Sequence, residues 1–211
     1  MLGLALVYYG ILSPRNVAFD AHFYHLGIAQ DYATQHAIRP FREGWLPGAL
    51  PHLASVLYTW AFTLPGLDDM FGRIVCAAHV EFVLFGFTLA SIPVLVRYLV
   101  PRAHVATSWA AMFLFPGILV YDSSLTAAAD HVAAFWAIPS WLAFRRAFVT
   151  FSPRAHALAA LCLAGAILTK YQAMYILAFP VLALFAKAAY LLLARAWDRL
   201  KRKQPVPRRA W

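Results

Sequence analysis

Residues 73–97 read RIVCAAHVEFVLFGFTLASIPVLVR, an apolar run with Glu81 as its only charged residue between the two terminal arginines. A helix rises about 1.5 Å per residue, so a run of this length is long enough to cross the roughly 30 Å hydrocarbon core of a bilayer. The strands of a membrane barrel would alternate in polarity every second residue, and this run does not. It therefore predicts a membrane-spanning helix in an all-α protein.

The composition extends this prediction to the whole chain of 211 residues. Hydrophobic residues make up 63% of it and charged residues 13%, whereas soluble domains average about 45–50% apolar residues. We expect a polytopic helical bundle of about six spans in one membrane domain, residues 1–200, followed by a basic tail, residues 201–211. The short run 1–12 is interpreted as a first span that lacks its beginning, and the remaining spans are expected at about 73–97, 103–120, 131–144, 155–170 and 172–195.

The distribution of arginine and lysine predicts the orientation of these spans. Positive residues concentrate in two loops and at the C-terminal tail, and such segments normally lie in the cytoplasm. Both termini are therefore expected inside, and the loops around 121–130 and 170–172 outside. The net charge of +9 is attributed to contact with membrane lipids and not to nucleic acid. The loop cations are Arg97 and Arg102 in the first loop, and Arg145, Arg146 and Arg154 in the second.

Residues 52–64 form a shorter apolar run bounded by Pro51 and Pro65. Because a span there would reverse the sides of every later loop, we predict a juxtamembrane or re-entrant helix. The first external loop is then long, residues 13–72. Within it apolar residues recur at helical spacing and predict an amphipathic helix on the outer leaflet. The recurring positions are Phe19, Phe23, Leu26, Ala29 or Gln30, and Ala33.

The stretch Asp20-Ala21-His22-Phe23-Tyr24-His25 combines a carboxylate, two imidazoles and a phenol in this external loop. Asp20 is a candidate general base or metal ligand. His22 and His25 are three residues apart and so neighbours on a helix, where they would share its site. The alternative is structural: Asp20 caps a helix, and the His and Tyr side chains lie at the membrane interface.

Asp130 and Lys170 mark the external ends of two later spans. Asp130 precedes the fourth span, where it either favours the helix start or joins an external site. Lys170 ends the fifth span, where it either snorkels to water or binds a phosphate. Further external cations are Arg39, Arg42 and Arg73. Within the second span, Glu81 is either functional, or it is protonated or hydrogen-bonded to a neighbouring helix.

Other chemistries find no support in the sequence. The phosphate-binding GxxxxGK[ST] loop, the GxSxG elbow, the HExxH zinc motif and paired CxxC motifs do not occur. A nucleotide-driven pump is therefore not predicted. Cys76 and Cys162 lie in apolar runs and are expected to be free thiols.

Five short motifs occur in a fixed order. They are Phe19-Asp20-Ala21-His22, the Pro-rich stretch Pro47–His52, Gly72-Arg73, Asp130 before a span, and Thr169-Lys170-Tyr171 after one. This layout resembles the GT-C fold glycosyltransferases that use polyprenyl-phosphate sugars, especially protein O-mannosyltransferases and lipid A aminoarabinose transferases. The resemblance covers nearly the whole chain and rests on order and spacing.

The resemblance implies a sugar donor on a polyprenyl-phosphate carrier and a lipid, glycan or protein acceptor at the external face of a bacterial plasma membrane. Asp20 would be the base that activates the acceptor hydroxyl, and Asp130 a second catalytic carboxylate. Lys170 or Arg73 would bind the donor phosphate. Whether a divalent metal ion takes part is left open. Further substrate contacts are expected from His22, Tyr24, His25 and Tyr171.

Two features depart from the pattern of that family. Many relatives carry Asp-Glu at the first site, whereas Ala21 follows Asp20 here. The family is also longer, so we expect a reduced homologue or the N-terminal membrane portion of an enzyme, with a missing C-terminal portion or a partner subunit. The alternative hypothesis is a non-catalytic membrane subunit or a transporter, in which His79, Glu81 and Asp130 form an ion path.

Overall fold

A computed structural model describes residues 2–12, 19–41, 44–110 and 127–203, and these segments contain helices and no strand. The predicted all-α class is therefore confirmed. A π-helical turn, Ala21–His25, and a 3-10 turn, Leu46–Ala49, accompany the α-helices. The α-helices are α1 Leu2–Ile11, α2 Leu26–Gln35, α3 Leu53–Thr63, α4 Met70–Leu99, α5 Val105–Ala110, α6 Asp130–Thr150, α7 Pro153–Thr169 and α8 Ala173–Lys203.

Two of these helices are long and apolar enough to cross a bilayer, judged by length and composition: α4, and α8 over Ala173–Lys201. The apolar helices α3 and α7 are shorter. The arrangement of six spans remains a prediction. Residues 111–126, which include most of the predicted third span and the loop after it, lie outside the described residues, as do Arg42 and the end of the basic tail.

Helix α6 packs between α4 and α7. Glu81 in the first half of α4 contacts His131 near the start of α6, and Arg145 near the end of α6 lies 4.2 Å from the ring centre of Tyr98 near the end of α4. The two helices are thus parallel. Helix α7 returns antiparallel to α6 after a tight turn in which Phe151 has a left-handed φ of 48°.

The close approach of α7 to α6 depends on Gly165. A Cβ atom at this position would lie 2.5 Å from the indole of Trp136 on α6. Small residues allow helix backbones to approach each other in this way, particularly in membrane bundles. A buried cluster of small and apolar side chains, including Ala143, Ala159 and Cys162, continues the contact along both helices.

Side-chain caps fix the starts of two helices. The Asp69 carboxylate accepts a hydrogen bond of 2.5 Å from the Gly72 amide at the start of α4, and Ser152 accepts one of 3.3 Å from the Ala155 amide at the start of α7. Each cap satisfies an amide that the first turn leaves without an intrahelical partner.

The helix predicted within residues 13–72 is present, but its apolar residues divide between two surfaces. Leu26 and Ala29 are buried in the cluster that α2 forms with α3, whereas Phe19 and Phe23 are exposed and stack on each other at 5.2 Å. The π-helical turn between them explains the division. A π turn contains more residues than an α turn, so it rotates the helix that follows relative to the regular spacing.

Candidate functional site

A cavity of about 310 Å³ lies between the π-helical turn, the Pro47–Pro51 stretch, the start of α6 and the end of α7. We call it the polar cavity. It brings together residues that are far apart in the sequence, including five of the eight predicted site residues. Its polar lining consists of Asp20, Tyr24, His25, Thr169, Lys170, Tyr171 and Gln172.

The π-helical turn determines which loop residues line the polar cavity. In a π-helix the neighbours of a residue along one face lie four and five positions further on, because hydrogen bonds run from i to i+5. Asp20, Tyr24 and His25 therefore share a face, and all three line the cavity. His22 falls on the opposite face and is exposed.

An ion pair between Lys170 and Asp130 joins the end of α7 to the start of α6. The side chain of Asp130 is 53% exposed and that of Lys170 is 25% exposed. Asp130 also occupies the first turn of its helix, where a carboxylate favours the helix dipole. The structural interpretation of Asp130 is therefore supported, and its part in an external site stays a prediction.

A second cavity of about 450 Å³ begins at this ion pair and continues between α6, α7 and α8. We call it the apolar groove. Asp130, Lys170 and Gln172 line one end, and the rest is lined mainly by aliphatic and aromatic side chains from Ala133 to Trp141 and from Ala173 to Pro180. Lys170 and Gln172 line both cavities. The ion pair thus lies where the polar cavity meets the apolar groove.

His25 is 2% exposed, and its Nδ1 lies 3.1 Å from Ser55 Oγ on α3. Its Nε2 is buried and has no hydrogen-bond partner in the part of the chain that the structure describes. Burial lowers the pKa of His25 to about 4, and the positive charge of Lys170 contributes to this change. The imidazole is therefore neutral at neutral pH, and it offers a hydrogen bond and not a positive charge.

Burial raises the pKa of Tyr24 to about 12, with further contributions from the negative charges of Asp20 and Asp130. The phenol therefore stays protonated near neutral pH and serves as a hydrogen-bond donor. The influence of both carboxylates on one hydroxyl places the phenol of Tyr24 in the field of the two predicted catalytic residues.

A chain of hydrogen bonds fixes the Pro-rich wall of the polar cavity. His52 Nε2 donates to the Pro47 carbonyl at 2.9 Å, so its Nδ1 accepts from the Tyr32 hydroxyl at 2.8 Å. Because Pro47 itself lines the cavity, these two side chains hold the wall in place. The sequence predicts neither contact, because an isolated Tyr in α2 and an isolated His before α3 give no signal of their partners.

Arg73 lies away from the polar cavity. Its Nε donates to the Leu67 carbonyl at 2.7 Å, and its guanidinium lies 5.8 Å from the ring centre of Phe62. Arg73 therefore stabilises the connection between α3 and α4. Of the two predicted phosphate-binding cations, Lys170 alone lines the cavity. The substrate roles predicted for Arg73 and His22 gain no support from their positions.

Glu81 is fully buried in α4, and its carboxylate accepts hydrogen bonds from the Ala127 amide at 2.7 Å and from His131 Nδ1 at 2.8 Å. The interpretation that Glu81 is hydrogen-bonded to a neighbouring helix is therefore confirmed. His79 contacts different groups: its Nδ1 donates to the Val75 carbonyl at 2.7 Å, and its Nε2 accepts from the Tyr8 hydroxyl at 3.1 Å.

Among the residues that the structure describes, no three His, Cys, Asp or Glu side chains form a group that could hold a metal ion. The involvement of a divalent metal ion thus remains open. Comparison with known proteins found no matching family model, no matching curated protein and no matching solved structure. The resemblance to GT-C enzymes therefore stays a prediction from the sequence motifs.

Proposed function

We propose that this protein is an integral membrane glycosyltransferase of the GT-C type, or the membrane portion of one. It transfers a sugar from a polyprenyl-phosphate donor to a lipid, glycan or protein at the external face of a bacterial plasma membrane. In this proposal the chain crosses the membrane about six times and both termini are cytoplasmic. One observation carries the proposal: the Lys170–Asp130 ion pair lies between the polar cavity and the apolar groove.

The chemistry of the two cavities fits the two halves of such a donor. A polyprenyl phosphate is a long hydrocarbon with an anion at one end. The apolar groove extends from Asp130 to Trp141 along α6, about 16 Å at 1.5 Å per residue, and accommodates part of the chain. Lys170 at its end acts as a point charge for the phosphate. The sugar then lies in the polar cavity.

The reaction follows from this placement. Asp20 accepts the proton of the acceptor hydroxyl, and the oxygen of that hydroxyl forms a bond to the anomeric carbon of the sugar. The bond between that carbon and the phosphate oxygen breaks, and the polyprenyl phosphate leaves as an anion stabilised by Lys170. The protonated Tyr24 and the neutral His25 bind sugar hydroxyls, and Tyr171 offers a ring face. Asp130 holds Lys170 in position.

Binding of a polyprenyl phosphate to the purified protein tests the donor site. We expect native mass spectrometry to show a complex with polyprenyl phosphate and a much weaker one with the corresponding polyprenyl alcohol, which lacks the anion. Lys170→Met should remove the difference between the two lipids. Lys187→Met is the matched control, because Lys187 of α8 donates to the Phe148 carbonyl near the other end of α6. Equal binding of both lipids by the unmodified protein would contradict the proposal.

Transfer activity tests the base. Membranes containing the protein are supplied with labelled polyprenyl-phosphate hexoses and pentoses, and the label in water-insoluble products is measured. Asp20→Asn should lower the transfer rate by about 10²–10⁴-fold, the usual contribution of a general base. The control is Asp31→Asn, because Asp31 lies nearby in α2 but pairs with Arg39 at 2.9 Å.

The buried contact between Glu81 and His131 favours the transporter alternative, because ionisable groups inside a bundle often mark ion pathways. Proteoliposomes discriminate between the two functions. A proton or cation flux that is lost in Glu81→Gln, without any sugar transfer by the unmodified protein, would establish a transporter. Sugar transfer without flux would establish the enzyme.

A further inference from the structure

Two buried side chains from different helices hold the segment that leads into α6. Glu81 of α4 accepts a hydrogen bond from the Ala127 amide at 2.7 Å. Tyr58 of α3 donates one to the Ala128 carbonyl at 2.5 Å. Both side chains are 0% exposed. Together they fix the amide of one residue and the carbonyl of the next, which restricts both the position and the rotation of the segment.

The backbone between these contacts is unusual. Ala127 has a φ of 57°, in the left-handed region that residues other than glycine rarely adopt. Such a conformation persists where the surrounding structure over-determines it. Here the hydrogen bond that Glu81 accepts and the one that Tyr58 donates provide that constraint.

The constrained segment is directly connected to the ion pair. Ala129 lines the polar cavity, and Asp130 is the first residue of α6. Successive residues of a helix are rotated by about 100°. Glu81 holds His131 towards the interior at 2.8 Å, where its ring also meets the edge of Phe85. With His131 fixed inward, Asp130 is turned towards Lys170.

We propose that Glu81 and Tyr58 are positioning residues for the Asp130–Lys170 ion pair. They contact the backbone before Asp130 and the imidazole after it, and they thereby determine where the carboxylate meets the ammonium group. The effect on catalysis rests on the proposed function, whereas the effect on the ion pair does not. For catalysis, Tyr58→Phe should lower kcat about tenfold and leave KM within about twofold.

The acylation rate of Lys170 by an amine-reactive ester reports the ion pair without any enzymatic assay. An amine that is hydrogen-bonded to a carboxylate has to leave it before it is acylated, so loss of the pair accelerates the reaction. Mass spectrometry of the labelled, detergent-solubilised protein gives the rates for Lys170 and for Lys187. Lys187 donates to the Phe148 carbonyl at the opposite end of α6 and therefore serves as an internal reference for unfolding.

We expect Asp130→Asn to raise the ratio of the Lys170 rate to the Lys187 rate at least threefold, and Tyr58→Phe and Glu81→Gln to raise it in the same direction. Asp69→Ala is the matched control. It removes another carboxylate that accepts from a backbone amide, at the start of the same helix as Glu81, and it should leave the ratio unchanged.

The proposal is overturned if Tyr58→Phe and Glu81→Gln leave the ratio at its original value while Asp130→Asn raises it. It is equally overturned if both variants accelerate Lys170 and Lys187 together, because the network would then support the whole fold and not the ion pair. If only Glu81→Gln unfolds, Tyr58→Phe decides. Absence of sugar transfer by the unmodified protein would refute the proposed function and leave the labelling result intact.

Discussion

The two ends of α6 each hold a lysine from a neighbouring segment, and the two contacts differ in kind. At the start of α6, Lys170 pairs with the carboxylate of Asp130 beside two cavities. At its end, Lys187 of α8 donates to the Phe148 carbonyl and lies 4.7 Å from the Phe148 ring centre and 5.6 Å from that of Phe151.

The two contacts show that the role of a lysine depends on the groups around it. A cation at a helix C-terminus satisfies the last carbonyls and favours the dipole, so the contact of Lys187 is explained by helix stability. Lys170 instead contacts the carboxylate of Asp130, which is already favourably placed at a helix N-terminus. This ion pair borders both the polar cavity and the apolar groove. The contact of Lys187 therefore needs no role beyond stability, whereas that of Lys170 fits the proposed function.

The largest expected effect separates the two lysines. Lys170→Met should reduce sugar transfer by about 10²–10³-fold, the cost of removing one group that stabilises developing charge. Lys187→Met should change the rate less than threefold, because it touches neither cavity. Initial rates with saturating donor measure both. Equal losses in the two variants would remove the distinction between the ends.

The stability of the protein at acidic pH tests the surroundings of His25 in the polar cavity. Because the pKa of His25 is lowered from 6.5 to about 4 in the folded protein, the unfolded chain binds a proton more readily. The contribution of neutral His25 to stability is thus complete above about pH 6.5 and is lost as the pH falls towards 4. At about 1.36 kcal/mol per pH unit, this window amounts to about 3 kcal/mol.

Unfolding of the detergent-solubilised protein between pH 7 and pH 4 measures this loss. His25→Asn keeps a polar group near Ser55 but cannot take up a proton, so its stability should depend less on pH in that window. The unmodified protein, measured in parallel, is the reference. Identical pH dependence of both proteins would show that His25 is not the group responsible.

Substitution of Gly165 tests the packing of α7 against α6. Its Cβ would lie 2.5 Å from Trp136, so Gly165→Ala forces α6 and α7 apart and should cost about 1–3 kcal/mol. Gly86→Ala in α4 is the control, because a Cβ there meets nothing within 4 Å. Thermal unfolding in detergent measures both variants. A stable Gly165→Ala protein would mean that the helices tolerate a wider separation.

The smallest expected effect lies at the end of α6 that contacts Lys187. The guanidinium of Arg145 is 4.2 Å from the ring centre of Tyr98, and an exposed cation–π contact contributes about 0.5–1 kcal/mol. Arg145→Gln should lower the free energy of unfolding by that amount and leave transfer unchanged. Arg146→Gln, which removes the same charge one position along, should not. A loss of sugar transfer in Arg145→Gln would mean that this end of α6 also contributes to activity.

The sequence predicts the helices better than it predicts the contacts between them. Apolar length gives α4 and α8, and the prolines that bound residues 52–64 give α3, because these signals are local. The order of Asp20, Asp130 and Lys170 also indicated a common site. Local patterns do not reveal that Tyr58 meets Ala128, 70 residues away, or that Glu81 meets His131, 50 residues away.

The π-helical turn is the clearest case of what a periodic pattern hides. Helical spacing grouped His22 with His25, whereas the extra residue of the turn separates them and pairs Tyr24 with His25 on the face of Asp20. Arg73 is a second case. The sequence shows that a cation lies near a predicted span boundary, but it does not show where the side chain points. In the structure the Arg73 side chain donates to the Leu67 carbonyl.

The π-helical turn allows the direction of Asp20 to be changed by a single deletion. Because the turn holds one residue more than an α turn, deleting His22 would leave a continuous helix whose upstream part is rotated by about 100°. Asp20 would then face different neighbours, while α2 would remain packed against α3. The set of side chains that lines the polar cavity thus depends on the rotation of this one turn, which the loss of a single residue is enough to change.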